Sequence, residues 1–255
     1  MINPDSIETL DSYYPKGKSE TVEIKKLPYF DSMQYDLSDE KDYNKFIQDT
    51  ERLVRNSYEY RKLIEYLRNI VGMDKCTFLE NVTNLDNTKI GIEIHHTPLT
   101  LFDIASTVIN KRVQNKESVD IFDVSEEIMY LHYIGFVGLV PLSVTAHELV
   151  HNNYLFVPTN IVRGNYKEFI NRYNNWIDGS ILEYLNSAEE ITNDYLLNPN
   201  NEENIINKQM RLFNKFSTYI SIGNIEPITN ELSVLKEYLY LQINKIRNKK
   251  VDLFK

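Results

Sequence analysis

The chain has a single cysteine, Cys76, in 255 residues. It therefore forms no internal disulfide, and zinc sites built from paired CxxC motifs are excluded. Any transition metal must be held by histidine and carboxylates. No stretch reaches the roughly 18 uncharged apolar residues that a membrane-spanning helix needs, so no membrane partner is expected. The opening MINPDSIETL lacks the basic-then-apolar order of a signal peptide, which leads to an expected cytoplasmic location. Positive charge is in deficit, with 28 Lys and Arg against 37 Asp and Glu, a net charge of −9 and a pI near 5.2. That balance argues against a protein that coats nucleic acid, whose affinity comes mostly from neutralising phosphates, but it leaves room for a local basic groove. No internal repeat is present. What remains, 42% hydrophobic and 25% charged residues with a mean hydropathy of −0.41, describes a globular chain long enough to bury a sizeable core.

Histidine is also scarce, and its distribution gives the sequence a focus. The five histidines, His95, His96, His132, His147 and His151, all fall between positions 95 and 151. Four form two tight groups, an adjacent pair in IEIHHTP and an i, i+4 pair in VTAHELVH.

The first 40 residues are polar and Tyr-rich without sustained periodicity, and read as an extended, partly ordered arm. From about Ser38 to Val71, apolar residues such as Phe46, Leu53, Leu63 and Leu67 recur near the helical period, with Gly72 as the stop. CTFLENVTNLDNTKIGIEIHH then favours β structure on either side of a turn-rich NLDNT, and predicts a hairpin whose second strand delivers His95 and His96. Thr97-Pro98 ends that strand. Helical spacing resumes through Leu101, Ile104, Val108 and Ile109, and a second helix is predicted around Ser125 to Tyr133. GLVPLS reads as a short strand, after which Ser143 or Thr145 caps a helix carrying His147 and His151. Beyond Pro158 the pattern is helical to the end. The expected class is α+β, mainly helical, divided as 1–72 (arm and helical segment), 73–158 (core with a helical insert) and 159–255 (helical segment).

On a helix, His147 and His151 lie on one face about 5–6 Å apart, a separation that lets them share a small cation. Alone the pair supports two chemistries. With Glu148 as general base beside a zinc, HELVH is a metallopeptidase helix, and Glu189 or Glu190 in SAEEITNDYLL would supply its third ligand. With a third histidine from a neighbouring strand, it is the site of a metal-dependent nuclease.

The second option accounts for more of the chain. A strand ending in two histidines, a short strand LVPLS and an HxxxH helix resemble the HNH endonuclease family and its ββα-metal fold. The resemblance rests on Ile92 to Pro98 (IEIHHTP) and Leu139 to His151 (LVPLSVTAHELVH). It implies that His95, His147 and His151 ligate one divalent ion and that His96 is the general base of DNA phosphodiester hydrolysis. Adjacent strand residues face opposite ways, which would let one histidine meet the metal and the other the attacking water. Three imidazoles favour Zn²⁺, Mn²⁺ or Ni²⁺ over Mg²⁺, which prefers oxygen. The chain departs from the family pattern at Gly138, where an asparagine usually precedes the second strand. It departs again at Ser143 and Ala146, which stand where many relatives carry cysteines of a structural zinc, and in the helical insert between the two histidine blocks.

Arg163, Lys167 and Arg172, just after the motif, are candidate contacts to a nucleic-acid backbone. His132, among apolar neighbours, reads as a buried hydrogen-bonded residue. Asp103, Glu126 and Glu127 read as helix-start charges or solvated faces. A reading from another class is a structural or binding protein on a catalytically degenerate core of the same kind. Abundant Asn, Lys, Ile and Tyr fit a low-GC genome and are compatible with a phage-encoded chain, which would place the protein in the host cytoplasm.

Overall fold

The structure is a computed structural model that describes residues 35–78 and 91–211. The first 34 residues of the N-terminal arm, the turn-rich NLDNT segment and the last two expected helices lie outside these residues, apart from a helical stretch over 205–211. The fold is α+β and mainly helical, with one two-stranded antiparallel sheet among the described residues. The elements run α1 (Glu40–Asn56), α2 (Tyr58–Asn69), β1 (Ile92–His96), α3 (Leu101–Asn115), α4 (Ile121–Tyr133), β2 (Leu139–Ser143), α5 (Val144–His151), α6 (Tyr166–Tyr173) and α7 (Gly179–Leu197), with 3₁₀ turns at Thr159–Ile161 and Asn174–Trp176. No helix among the described residues is long and apolar enough to cross a membrane.

These residues form two compact units, each assembled from separate stretches of chain. In its described part the first comprises 35–63, 99–138 and 163–181, and the second 64–78, 91–98, 139–162 and 182–211. This partition is not the division in chain order at 72/73 and 158/159 that the sequence suggests. The helical insert between the histidine blocks packs on α1, because the apolar stripes of α3 and α4 match that of α1.

In the first unit, α1 buries Phe46, Ile47, Thr50 and Val54 along one face and packs against α3 and α4. Local signals fix the helix starts. Asp39 caps α1 by accepting from the Asp42 amide at 3.0 Å. Thr100 and Asp103 form a reciprocal capping box on α3, with bonds of 3.1 and 2.8 Å. α4 starts earlier than apolar spacing alone suggests, at Ile121, because Asp120 caps it through the Asp123 amide at 2.9 Å. Glu127 corrects the expectation of a solvated carboxylate. Its side chain is 10% exposed and accepts from Lys111 Nζ (2.7 Å), Arg112 Nε (2.7 Å) and the Tyr173 hydroxyl (2.8 Å), so α3, α4 and α6 converge on one carboxylate. Burial raises its pKa, but the hydrogen bonds from Lys111, Tyr173 and Arg112 outweigh that effect and hold it below the usual glutamate value. His132 is buried as expected, with Nδ1 2.7 Å from the Ile128 carbonyl and its ring edge-on to Tyr60. Burial pushes its pKa down to about 4.

In the second unit, β1 and β2 pair with Ile92 opposite Ser143, Ile94 opposite Pro141 and His96 opposite Leu139. Pro141 is accommodated although it lacks an N–H. Its carbonyl accepts from the Thr77 amide at 3.0 Å, so the missing donor also lies on the side away from β1. α5 follows β2 without a loop and packs on both strands. Their shared core holds Cys76, Phe78, Ile92, Val140, Leu142, Ala146 and Leu149. Ser143 and Ala146 belong to this packing: Cys76 Sγ lies 3.6 Å from Ser143 Oγ, and Ala146 is fully buried. Beyond α5 the chain is pinned by Gln209, whose side-chain amide bonds both the Phe156 amide (2.7 Å) and its carbonyl (3.0 Å).

Candidate metal centre

The second unit brings together a strand, a strand and a helix in ββα order, and three histidines meet where they join. β1 carries His95; its pleat sets Glu93 and His95 on one face, with Ile94 and His96 on the other. α5 carries His147 and His151 one turn apart. Its start is set by Ser143, one of the two expected caps, whose Oγ accepts from the Ala146 amide at 3.3 Å. Because β2 runs directly into this cap, its pairing with β1 fixes where the helix begins and hence where its histidine face lies.

The ligand atoms of His95, His147 and His151 lie within 4.8 Å of one another, and no other group of this kind occurs among the described residues. The rings meet edge to face, with centroids 4.9 Å apart for His95 and His147, 5.0 Å for His95 and His151, and 4.3 Å for His147 and His151. His147 Nε2 and His151 Nε2 are 3.0 Å apart. Tetrahedral ligation at about 2.0–2.1 Å sets neighbouring nitrogens about 3.3 Å apart, so small rotamer adjustments fit the set to one ion. A set of three imidazole ligands suits a borderline transition metal such as Zn²⁺. Burial grades outward, from buried His95 through half-buried His147 to exposed His151, so an ion here would meet solvent on the His151 side.

Sequence reasoning missed Glu93. His147 Nδ1 lies 2.6 Å from Glu93 Oε2, a carboxylate–histidine contact of the kind that orients metal ligands. The available signal was spacing, since a carboxylate two residues before His95 shares its strand face.

The other candidates are placed as follows. His96 is buried, 4% exposed, and is not one of the three clustered histidines. Glu148 is exposed on α5. Glu189 and Glu190 lie on α7 and do not join the cluster, whose third member is His95. Arg163, Lys167 and Arg172 are exposed but belong to the first unit, whereas the three histidines belong to the second. Arg172 pairs with Glu168 at 2.7 Å and stacks over Phe136. Gly138, in place of the asparagine common in HNH enzymes, directly precedes β2.

Comparison with known proteins places the chain among phage virion proteins. The profile of the bacteriophage G278-like virion proteins matches residues 1–226, and the chain belongs to that family. No curated protein and no solved structure matches it.

Proposed function

We propose that this phage virion-family protein carries an HNH-type ββα-metal centre that hydrolyses phosphodiester bonds in DNA. The observation that supports the reading is the convergence of His95 from β1 with His147 and His151 from α5 on one ligand set. His95, His147 and His151 would hold one divalent ion, of which Zn²⁺, Mn²⁺ and Ni²⁺ suit imidazole better than Mg²⁺. When bound, such an ion polarises the phosphate and stabilises charge on the leaving oxygen. A ring nitrogen of His96 would accept a proton from the attacking water. Arg163, Lys167 and Arg172 are candidate backbone contacts for the DNA. The test is cleavage of supercoiled plasmid by the full chain with each metal and with EDTA, beside His96→Ala; metal-dependent cleavage that is lost in the variant is the expected result.

A second reading, a catalytically degenerate centre in which the metal staples β1 to α5 in a virion component, is favoured by the burial of His96 and by Gly138. It predicts metal binding and metal-dependent stability without cleavage. The peptidase alternative, with Glu148 as base and Glu189 or Glu190 as ligand, draws less support, because His95 takes the third place in the cluster.

A further inference from the structure

We infer that Glu93 is a positioning residue that holds His147 in the tautomer a metal requires. The inference deepens the metal-centre reading and rests on it only for the presence of the ion.

Neutral imidazole has one N–H and one lone pair, and the partner of one nitrogen decides which the other presents. An ionised carboxylate only accepts. At 2.6 Å from Glu93 Oε2, Nδ1 of His147 must therefore be the protonated nitrogen, and it donates to Glu93. In the neutral ring, the form that binds a metal, the lone pair is then left on Nε2, the atom that lies 3.0 Å from His151 Nε2. Without an ion, this short contact needs one proton between the two nitrogens. With His147 neutral and its proton on Nδ1, His151 Nε2–H is the donor. An ion held by both rings would take the place of that hydrogen bond, with the His151 proton released to solvent or carried on Nδ1 and the His147 tautomer kept. His147 is thus prepared in advance and His151, the exposed member, is the one that adjusts.

The geometry that permits this is local. Glu93 and His95 are separated by one residue on β1 and share a face, so one strand supplies both a ligand and the group that orients a second ligand on α5. The side chain of Glu93 is 45% exposed and that of His147 is 23% exposed. Truncation of Glu93 therefore leaves no buried charge and opens no core cavity.

The test uses the full chain with Glu93→Ala and Glu93→Gln. Long-range ¹H–¹⁵N correlation spectra of the metal-free proteins read the His147 tautomer, and calorimetric titration with Zn²⁺ reads affinity. The expected result is a single Nδ1–H tautomer in the wild type and a mixture in Glu93→Ala, whose Zn²⁺ affinity falls by about 10–100-fold with an unchanged metal-free melting temperature. Glu93→Gln, whose amide oxygen can accept the same bond, restores the tautomer and part of the affinity. A Glu93→Ala protein that keeps the tautomer, or binds Zn²⁺ within about twofold of wild type, overturns the inference. Loss of affinity in Glu93→Ala without plasmid cleavage by the wild type removes the hydrolytic reading and leaves Glu93 in its role. Cleavage with unchanged affinity in Glu93→Ala removes Glu93 alone.

Discussion

His95 and His147, fifty-two positions apart in the chain, place their ring centroids 4.9 Å from one another. The contact exists because β1 pairs with β2 and β2 runs straight into α5, so the sheet register sets the helix against the strand. A metal held across this contact ties β1 to α5, and anything that binds the folded state alone stabilises it by mass action.

The first prediction concerns that stabilisation. With Zn²⁺ at about 100 times its dissociation constant, the wild type gains about 2.7 kcal/mol. His147→Ala and His151→Ala lose this gain. Thermal melts with and without Zn²⁺ read the difference, and an undiminished metal response in either variant would remove that histidine from the ligand set.

Glu127 gives a prediction about the first unit. Its carboxylate collects Lys111, Arg112 and Tyr173 while 10% exposed, so Glu127→Ala leaves two partly buried cations without their shared partner. Denaturant unfolding should show a loss of about 2–4 kcal/mol. A loss below about 0.5 kcal/mol would mean the network is only a surface feature.

His132 predicts a pH dependence. Its folded pKa lies near 4, below the ordinary histidine value of 6.5, because burial disfavours the charged ring. The unfolded chain binds the proton more readily, so the stability tied to neutral His132 is present above about pH 6.5 and is lost as pH falls toward 4. Between pH 7.5 and pH 5 the loss from this group is about 2 kcal/mol. His132→Leu should flatten the stability profile by that amount relative to wild type, measured by chemical denaturation at both pH values. Parallel profiles would show that the ring titrates normally.

Gly164 is a backbone prediction. It sits at φ +99°, and a Cβ there would lie 2.1 Å from the Val137 carbonyl oxygen. The neighbouring Asn165 amide bonds the Gly135 carbonyl at 2.7 Å, so the segment cannot move away without losing that bond. Gly164→Ala should cost about 3 kcal/mol or more through combined strain and clash. A melting temperature equal to that of wild type would contradict the close approach.

The parts of the fold legible in the sequence were those with local causes. The helices of 40–69, the strand ending in His95 and His96, the strand at 139–143 and the Ser143 cap all follow from apolar period, β-favouring residues and a capping side chain. The i, i+4 spacing of His147 and His151 predicted their shared face. What could not be read depends on contacts far apart in the chain. The insert packs with α1 because of matching apolar stripes, and nothing in the local pattern of Leu101 to Tyr133 names that partner. Glu127 looked like a solvated helix charge because its cations lie 15 and 16 residues earlier and its tyrosine 46 residues later. Spacing puts Glu93 on the face of His95, but its contact with His147 depends on the register that sets β1 beside α5.

Glu148 separates the two enzyme classes. A peptidase that uses it as base is silenced by Glu148→Gln, whereas a nuclease using His96 is only mildly affected, since Glu148 is exposed and outside the histidine cluster. Assay of the variant on plasmid and on an unfolded protein substrate distinguishes the outcomes. Loss of plasmid cleavage in Glu148→Gln would assign Glu148 a part in phosphodiester hydrolysis that the present geometry does not.

The most direct measurement is cleavage of supercoiled plasmid by the pure full chain in Mn²⁺, Mg²⁺, Ni²⁺, Zn²⁺ or EDTA, run beside His96→Ala with metal content determined for both. The account predicts cleavage that requires a divalent ion and disappears in His96→Ala while the metal is retained. A wild-type protein that binds the ion through His95, His147 and His151 yet cleaves nothing under any metal would contradict it, and would make the centre a structural staple of a virion protein.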